Sequence, residues 1–159
     1  MSDIEQVTHH VSPTDAVRLR EVTEDNLREI LGLAVAEHQK HLVADNATSI
    51  AQGCYAADAW YRAIYAGDRP VGFVMLSLQP EKPQYYVWRF MIDHRFQRMG
   101  WGSRAMERII AFVRSQPNAH QLLVSYVPED GSPQPFYAGL GFVDTGEVHD
   151  GELIMSLEL

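Results

Sequence analysis

The chain has 159 residues, 46% of them hydrophobic, 21% charged and 10% aromatic. That suffices for one domain burying about two-thirds of the surface its unfolded chain exposes, and is too little for two. A formal net charge of −8 argues against a general nucleic-acid binder, which must neutralise phosphates, and no apolar run reaches the roughly 20 residues that span a bilayer.

Residues 1–15 carry acids and no apolar core. They read as a flexible or weakly docked lead-in to a domain over 16–159, not as a signal peptide. Residues 16–22 alternate apolar and polar side chains, which predicts a half-buried strand. Thr23 is placed to cap a helix whose buried stripe is Leu27, Ile30, Leu31 and Ala34, and residues 46–52 suit a second, short helix. Cys54 is the sole cysteine. No internal disulfide can form, a reducing cytoplasm fits, and the thiol reads as a small buried hydrophobe. Residues 60–66 and 71–78 make two strands around Gly67-Asp68-Arg69-Pro70, and Pro80 and Pro83 mark the turn into a third over 85–92. Ala105, Met106, Ile109, Ile110 and Val113 then fall at helical spacing over 102–115. A strand at 122–127 follows, then a short helix capped by Ser132 with Pro133 first, and a closing hairpin through His149-Asp150-Gly151. The order β, α, α, β, β, β, α, β, α, β, β predicts an α+β domain on one seven-stranded sheet. It is mostly antiparallel, with about four helices, and the fifth strand runs parallel to the one before the long helix.

Charge is unevenly spread. Residues 89–114 hold six of the eleven arginines, whereas the chain from Ser115 onward has seven carboxylates and no Lys or Arg. A basic middle between acidic flanks suits an anionic ligand at the centre and a cationic one beside it. At that centre lies Gln97-Arg98-Met99-Gly100-Trp101-Gly102-Ser103, between a strand and a helix start. Helix N-termini present free N–H groups and partial positive charge, and glycines let a phosphate approach the backbone. Arg95 and Arg98 can add charge-assisted bonds. Gly100-x-Gly102-x-x-Ala105 formally matches a dinucleotide fingerprint. That motif, however, needs its glycines tight against a parallel strand, and seven residues intervene here.

The loop resembles instead the Q/R-x-x-G-x-G/A signature of the GNAT superfamily of N-acetyltransferases, and the element order from Ala16 to Leu159 is similar to theirs. Asp130-x-x-Pro133-x-x-Phe136-Tyr137-x-x-x-Gly141-Phe142 resembles a second family pattern, with Asp130 and Pro133 in place of asparagine and alanine. The resemblance implies the GNAT fold and acetyl-CoA as cosubstrate, with no metal. Main-chain groups of Phe90, Met91 and Ile92 would pair with the pantetheine arm, beside a bulge that splays the strand. Gln97 and the N–H groups of Arg98, Met99, Gly100, Trp101, Gly102 and Ser103 would face the pyrophosphate. Asp130 and Phe136 fall at cofactor-contact positions, and the Trp101 ring reads as packed or lid-like. Tyr137 matches the tyrosine that protonates the leaving thiolate. Glu37, Asp93 and Glu152 are candidate bases by type alone.

Residues 37–52 with 86–93 resemble the spermine/spermidine acetyltransferase branch. That implies a small cationic amine as acceptor, bound by Glu37, Asp45, Tyr55, Tyr86 and Trp88 through charge and ring faces. An aminoglycoside, a peptide or protein amine, and an acetyl-CoA-sensing module without turnover are the alternatives. Family members often form dimers, and the resemblance extends a homodimer to this chain, with no nucleic-acid or membrane partner.

Overall fold

The computed structural model describes residues 11–159, so all but the last part of the lead-in lies outside the described residues. Seven strands form one sheet: β1 (Val17–Arg20), β2 (Ala59–Ala66), β3 (Arg69–Gln79), β4 (Gln84–Ile92), β5 (Gln121–Tyr126), β6 (Val143–His149) and β7 (Glu152–Glu158). Their order is β1-β2-β3-β4-β5-β7-β6. Every pairing is antiparallel except β4 with β5. The helices are α1 (Leu27–Gly32), α2 (Asn46–Cys54), α3 (Trp101–Arg114) and α4 (Gln134–Gly139).

The sheet is covered on both sides. Against one face α3 buries Trp101, Ala105, Met106, Ile109, Ile110 and Val113, joined by Tyr137 and Phe142. Each large apolar side chain so buried contributes roughly 1.5–3 kcal/mol before entropy is counted. The other face packs Ile30 and Leu33 against Ala63, Tyr65, Phe73, Met75 and Met91. Arg104 holds the end of the lead-in, donating to the Pro13 and Asp15 carbonyls.

Two irregularities in β4 decide where a ligand can enter. Arg89 pairs with Met75 while Val87 pairs with Leu76, which leaves Trp88 as an extra residue, a bulge. The parallel pairing to β5 is confined to Tyr86↔Leu123 and Val87↔Val124. Beyond Val87 the two strands separate, and the sheet forks.

Three local expectations change. The first helix begins at Leu27, not after Thr23, because Asn26 closes a turn before it: its Oδ1 accepts from the Thr23 N–H at 2.7 Å and its amide donates to the Glu21 carbonyl and the Tyr65 hydroxyl. Pro133 is the N-cap of α4 and not its first residue. Cys54, the last residue of α2, is exposed and not buried.

Candidate active site

The fork opens into a cleft of about 970 Å³. Its walls are the free edge of β4 and β5, the 39–44 segment, the loop before α3, the start of α4 and the turn joining β6 to β7. Along β4, the Met91 carbonyl is turned toward β3, where a Cβ on Gly72 would meet it at 2.4 Å. Strand alternation then turns the main chain of Phe90 and Ile92 to the fork side. The Gln97 amide bonds the Ile92 carbonyl and Gln39 Oε1, both at 2.9 Å, tying the end of β4 to the opposite wall.

At the far end, Arg98 and Gly100 adopt left-handed backbone, φ 62° and 85°. The reversal turns successive amides inward, as anion-binding nests do. None of the N–H groups of residues 98–103 has an acceptor among the described residues. Around Gly100 there is open space, whereas a Cβ on Gly102 would touch the Phe136 ring at 3.5 Å. Unpartnered amides on a helix start, open in front, suit a diphosphate, so these residues fit the pyrophosphate end of coenzyme A. Arg98 is exposed and lines the cleft. Arg95 does not contribute, because its side chain is spent on Asp93 at 2.8 Å. Met99 is exposed outside the cleft lining. Trp101 is 1% exposed within the core, under Arg104, so its ring is packed and not a lid. Asp130 is exposed and also off the lining, which starts at Gly131.

Tyr137 reaches the fork from α4. It is buried, with its ring between Phe136 and Phe142 at centroid distances of 5.4 and 5.6 Å, and Phe136 stacks in turn on Phe90. Its hydroxyl has no hydrogen-bond partner among the described residues, yet it lines the cleft. Burial, then the neighbouring Tyr86, pushes this phenol far above its ordinary range. It rests protonated at neutral pH.

Of the acceptor candidates, only Tyr86 and Trp88 line the cleft. Asp45 caps α2, accepting from the Thr48 N–H at 2.7 Å. Glu37 pairs with Lys40 at 2.5 Å outside the lining, and Tyr55 is 95% exposed. Among the candidate bases Asp93 is committed to structure. It is 1% exposed and accepts from the N–H groups of Ala34 and Arg95 and from Arg95 Nε. Sequence reasoning missed Ser125, counted Arg89 only among the central arginines, and set His41 aside as structural or exposed. Arg89 bonds Gln52 at 3.1 Å and Ser125 bonds Glu152 at 3.3 Å, while His41 pairs with Glu129 across the mouth of the cleft.

A strand splayed beside an amide nest, with a buried phenol between them, defines a class of enzyme: an acetyl-CoA-dependent N-acetyltransferase. The match of residues 37–142 to the acetyltransferase (GNAT) family shows that the chain belongs to that family. It is 28% identical to the spermine/spermidine N(1)-acetyltransferase of Bacillus subtilis over 91% of this chain and 99% of that one. An acetyltransferase from Thermus thermophilus superposes with a TM-score of 0.73 at 18% identity, covering 94% of this chain and 99% of its own. An acetyltransferase of Bacillus subtilis, solved in complex with CoA, gives 0.61 at 15%, covering 91% and 99%. Among the described residues no helix is long and apolar enough to cross a membrane.

Proposed function

We propose that the protein acetylates a primary amine of a small cationic acceptor of the polyamine class, with Tyr137 as the general acid. The observation that carries the acid role is Tyr137 itself: a buried phenol lining the fork, without a hydrogen-bond partner for its hydroxyl among the described residues. Acetyl-CoA supplies an activated acyl group as a thioester, and the chain's task is to hold it extended and to handle protons. Phe90 and Ile92 offer main-chain partners to the pantetheine arm along the edge β5 vacates. The amides of 98–103 and the Arg98 guanidinium take the pyrophosphate, and Phe136 closes the wall beside them. Tyr137 then gives its proton to the departing sulfur.

The cationic acceptor is supported by the printed activity of the 28%-identical relative, by the ring faces of Tyr86 and Trp88 in the cleft, and by the net charge of −8. A screen of polyamines, aminoglycosides and peptides with acetyl-CoA, reading free thiol, tests it. The highest kcat/KM is expected for a polyamine. A peptide or aminoglycoside outperforming every polyamine refutes the acceptor class and leaves the acetyltransferase intact.

A further inference from the structure

We infer that Glu152 takes the proton from the acceptor's ammonium, with Ser125 as its positioning residue. The inference rests on the amine-acetylating cleft above, but not on the acceptor being a polyamine. Of the three carboxylates with the right chemistry, Asp93 is buried in structural bonds and Glu37 lies outside the cleft. Of these three only Glu152 lines it; Asp150 does too, but stands exposed on the hairpin turn, whereas Glu152 is held to Ser125 at the fork.

Its placement follows from register. Val124 is the last β5 residue paired to β4, so Ser125 stands at the point where the sheet forks. Leu122, Val124 and Tyr126 belong to the core on the α3–α4 face, and alternation puts Ser125 on the opposite face. Glu152, the first residue of β7, reaches over β5 and accepts from Ser125 Oγ at 3.3 Å. Tyr86, level with Leu123 on β4, lines the same cleft. Burial raises its phenol pKa first, and Ser125 and Glu152 are the neighbours that act on it next. The carboxylate and the Tyr137 phenol thus line one cleft from opposite faces of the sheet. Between them is where the amine must meet the thioester. Other charged groups face this point. Arg89 comes from β4, His149 from β6 opposite Glu152, Asp150 from the hairpin turn, and Lys40 and His41 from the far wall.

The protons balance. The ammonium gives one proton to the Glu152 carboxylate, which passes it to solvent. The freed nitrogen lone pair forms the N–C bond as the C–S bond breaks with its electron pair on sulfur. Tyr137 protonates that sulfur, and the second nitrogen proton restores the phenol. The net products are amide, thiol and one proton.

Glu152→Gln keeps the shape and the acceptor oxygen for Ser125, and pH profiles of kcat/KM for the amine that turns over best read its effect. The expected loss is about 10²-fold at neutral pH, in kcat more than in acceptor KM. The acid limb is expected to disappear, with activity recovering toward the amine's own pKa. Acetyl-CoA affinity, from tryptophan fluorescence, and melting temperature are expected to stay at wild-type values, which separates lost chemistry from lost structure. Ser125→Ala is expected to lose several-fold and Ser125→Thr, which keeps the hydroxyl, to restore it. A wild-type pH profile in Glu152→Gln, or a raised acceptor KM at unchanged kcat, overturns the assignment. A screen won by a non-polyamine refutes only the acceptor class.

Discussion

At the scale of single residues, the active site is distinguished by which polar groups are left unspent. Tyr137 has an unengaged hydroxyl in a buried position, where a phenol normally finds a partner. Tyr137→Phe removes only that oxygen, so the ring contacts to Phe136 and Phe142 survive. We expect kcat to fall about 10²-fold with acetyl-CoA KM within a factor of about two, and steady-state kinetics at saturating acceptor will show it; unchanged kcat removes Tyr137 from the mechanism. Asp93 is the opposite case. Burial alone would raise its pKa, but the Arg95 side-chain bond, the Ala34 and Arg95 N–H groups and the Arg95 charge together hold it below the usual carboxylate range. A depressed native pKa adds stability that is complete above the unfolded value and is lost as pH falls through the native one. Asp93→Ala is expected to cost about 2 kcal/mol at pH 7, mainly from the Ala34 and Arg95 N–H groups left without an acceptor, a difference that shrinks on acidification below about pH 4; urea melts at pH 7 and 3 measure it. Residue type told little about which carboxylates were free. The Asp45-x-x-Thr48 spacing did carry an N-cap signal, and heeding it would have withdrawn Asp45 from the acceptor set. For Glu152 there was no local signal, because its position depends on the β5–β7 register.

At the scale of elements, the order and type of the seven strands and four α-helices were legible, because periodicity and breakers agree along most of the chain, whereas the single 3-10 turns at Glu37–Gln39 and His94–Phe96 were not. The Trp88 bulge was expected only through the family resemblance. With both faces of β4 covered, alternation in residues 85–92 is blurred and an extra residue leaves no mark. Two glycines around the cleft separate fold from function. At Gly72 a Cβ would fall 2.4 Å from the Met91 carbonyl and 2.9 Å from Ile92 Cδ1, so β3 and β4 could not keep their spacing. Gly72→Ala is expected to destabilise by about 1–3 kcal/mol, read as a melting temperature lower by roughly 2–10 °C. At Gly102, inside the first turn of α3, the Cβ meets Phe136 at an ordinary 3.5 Å, and alanine favours helix by about 0.5–1 kcal/mol. Gly102→Ala is therefore expected to keep or raise the melting temperature while raising acetyl-CoA KM by about tenfold or more. A lowered melting temperature with unchanged KM would make Gly102 a packing residue and remove the reason for placing a diphosphate there.

At the scale of the whole molecule, the two substrates carry opposite charge and the chain serves them with different fields. The arginine-rich stretch 89–114 contributes the β4 edge, the amide nest and α3, a local positive region inside a protein of net charge −8. Coenzyme A meets that region at short range, where amides and a helix start are little screened. A polycationic acceptor would instead be drawn by the summed field of the surface, including the carboxylate-rich chain after Ser115 that forms one rim of the cleft. Such long-range attraction is erased once the screening length drops well below the size of the cleft. Raising salt from about 0.05 to about 0.5 M is thus expected to lower kcat/KM for a polyamine several-fold, through KM, and to leave kcat unchanged. A monoamine of the same reach should show a smaller decline, since attraction scales with the charge it carries. If mono- and polyamines decline equally, the field of the surface has no part in recruiting the acceptor, and discrimination would have to arise from Tyr86, Trp88 and Glu152 inside the cleft.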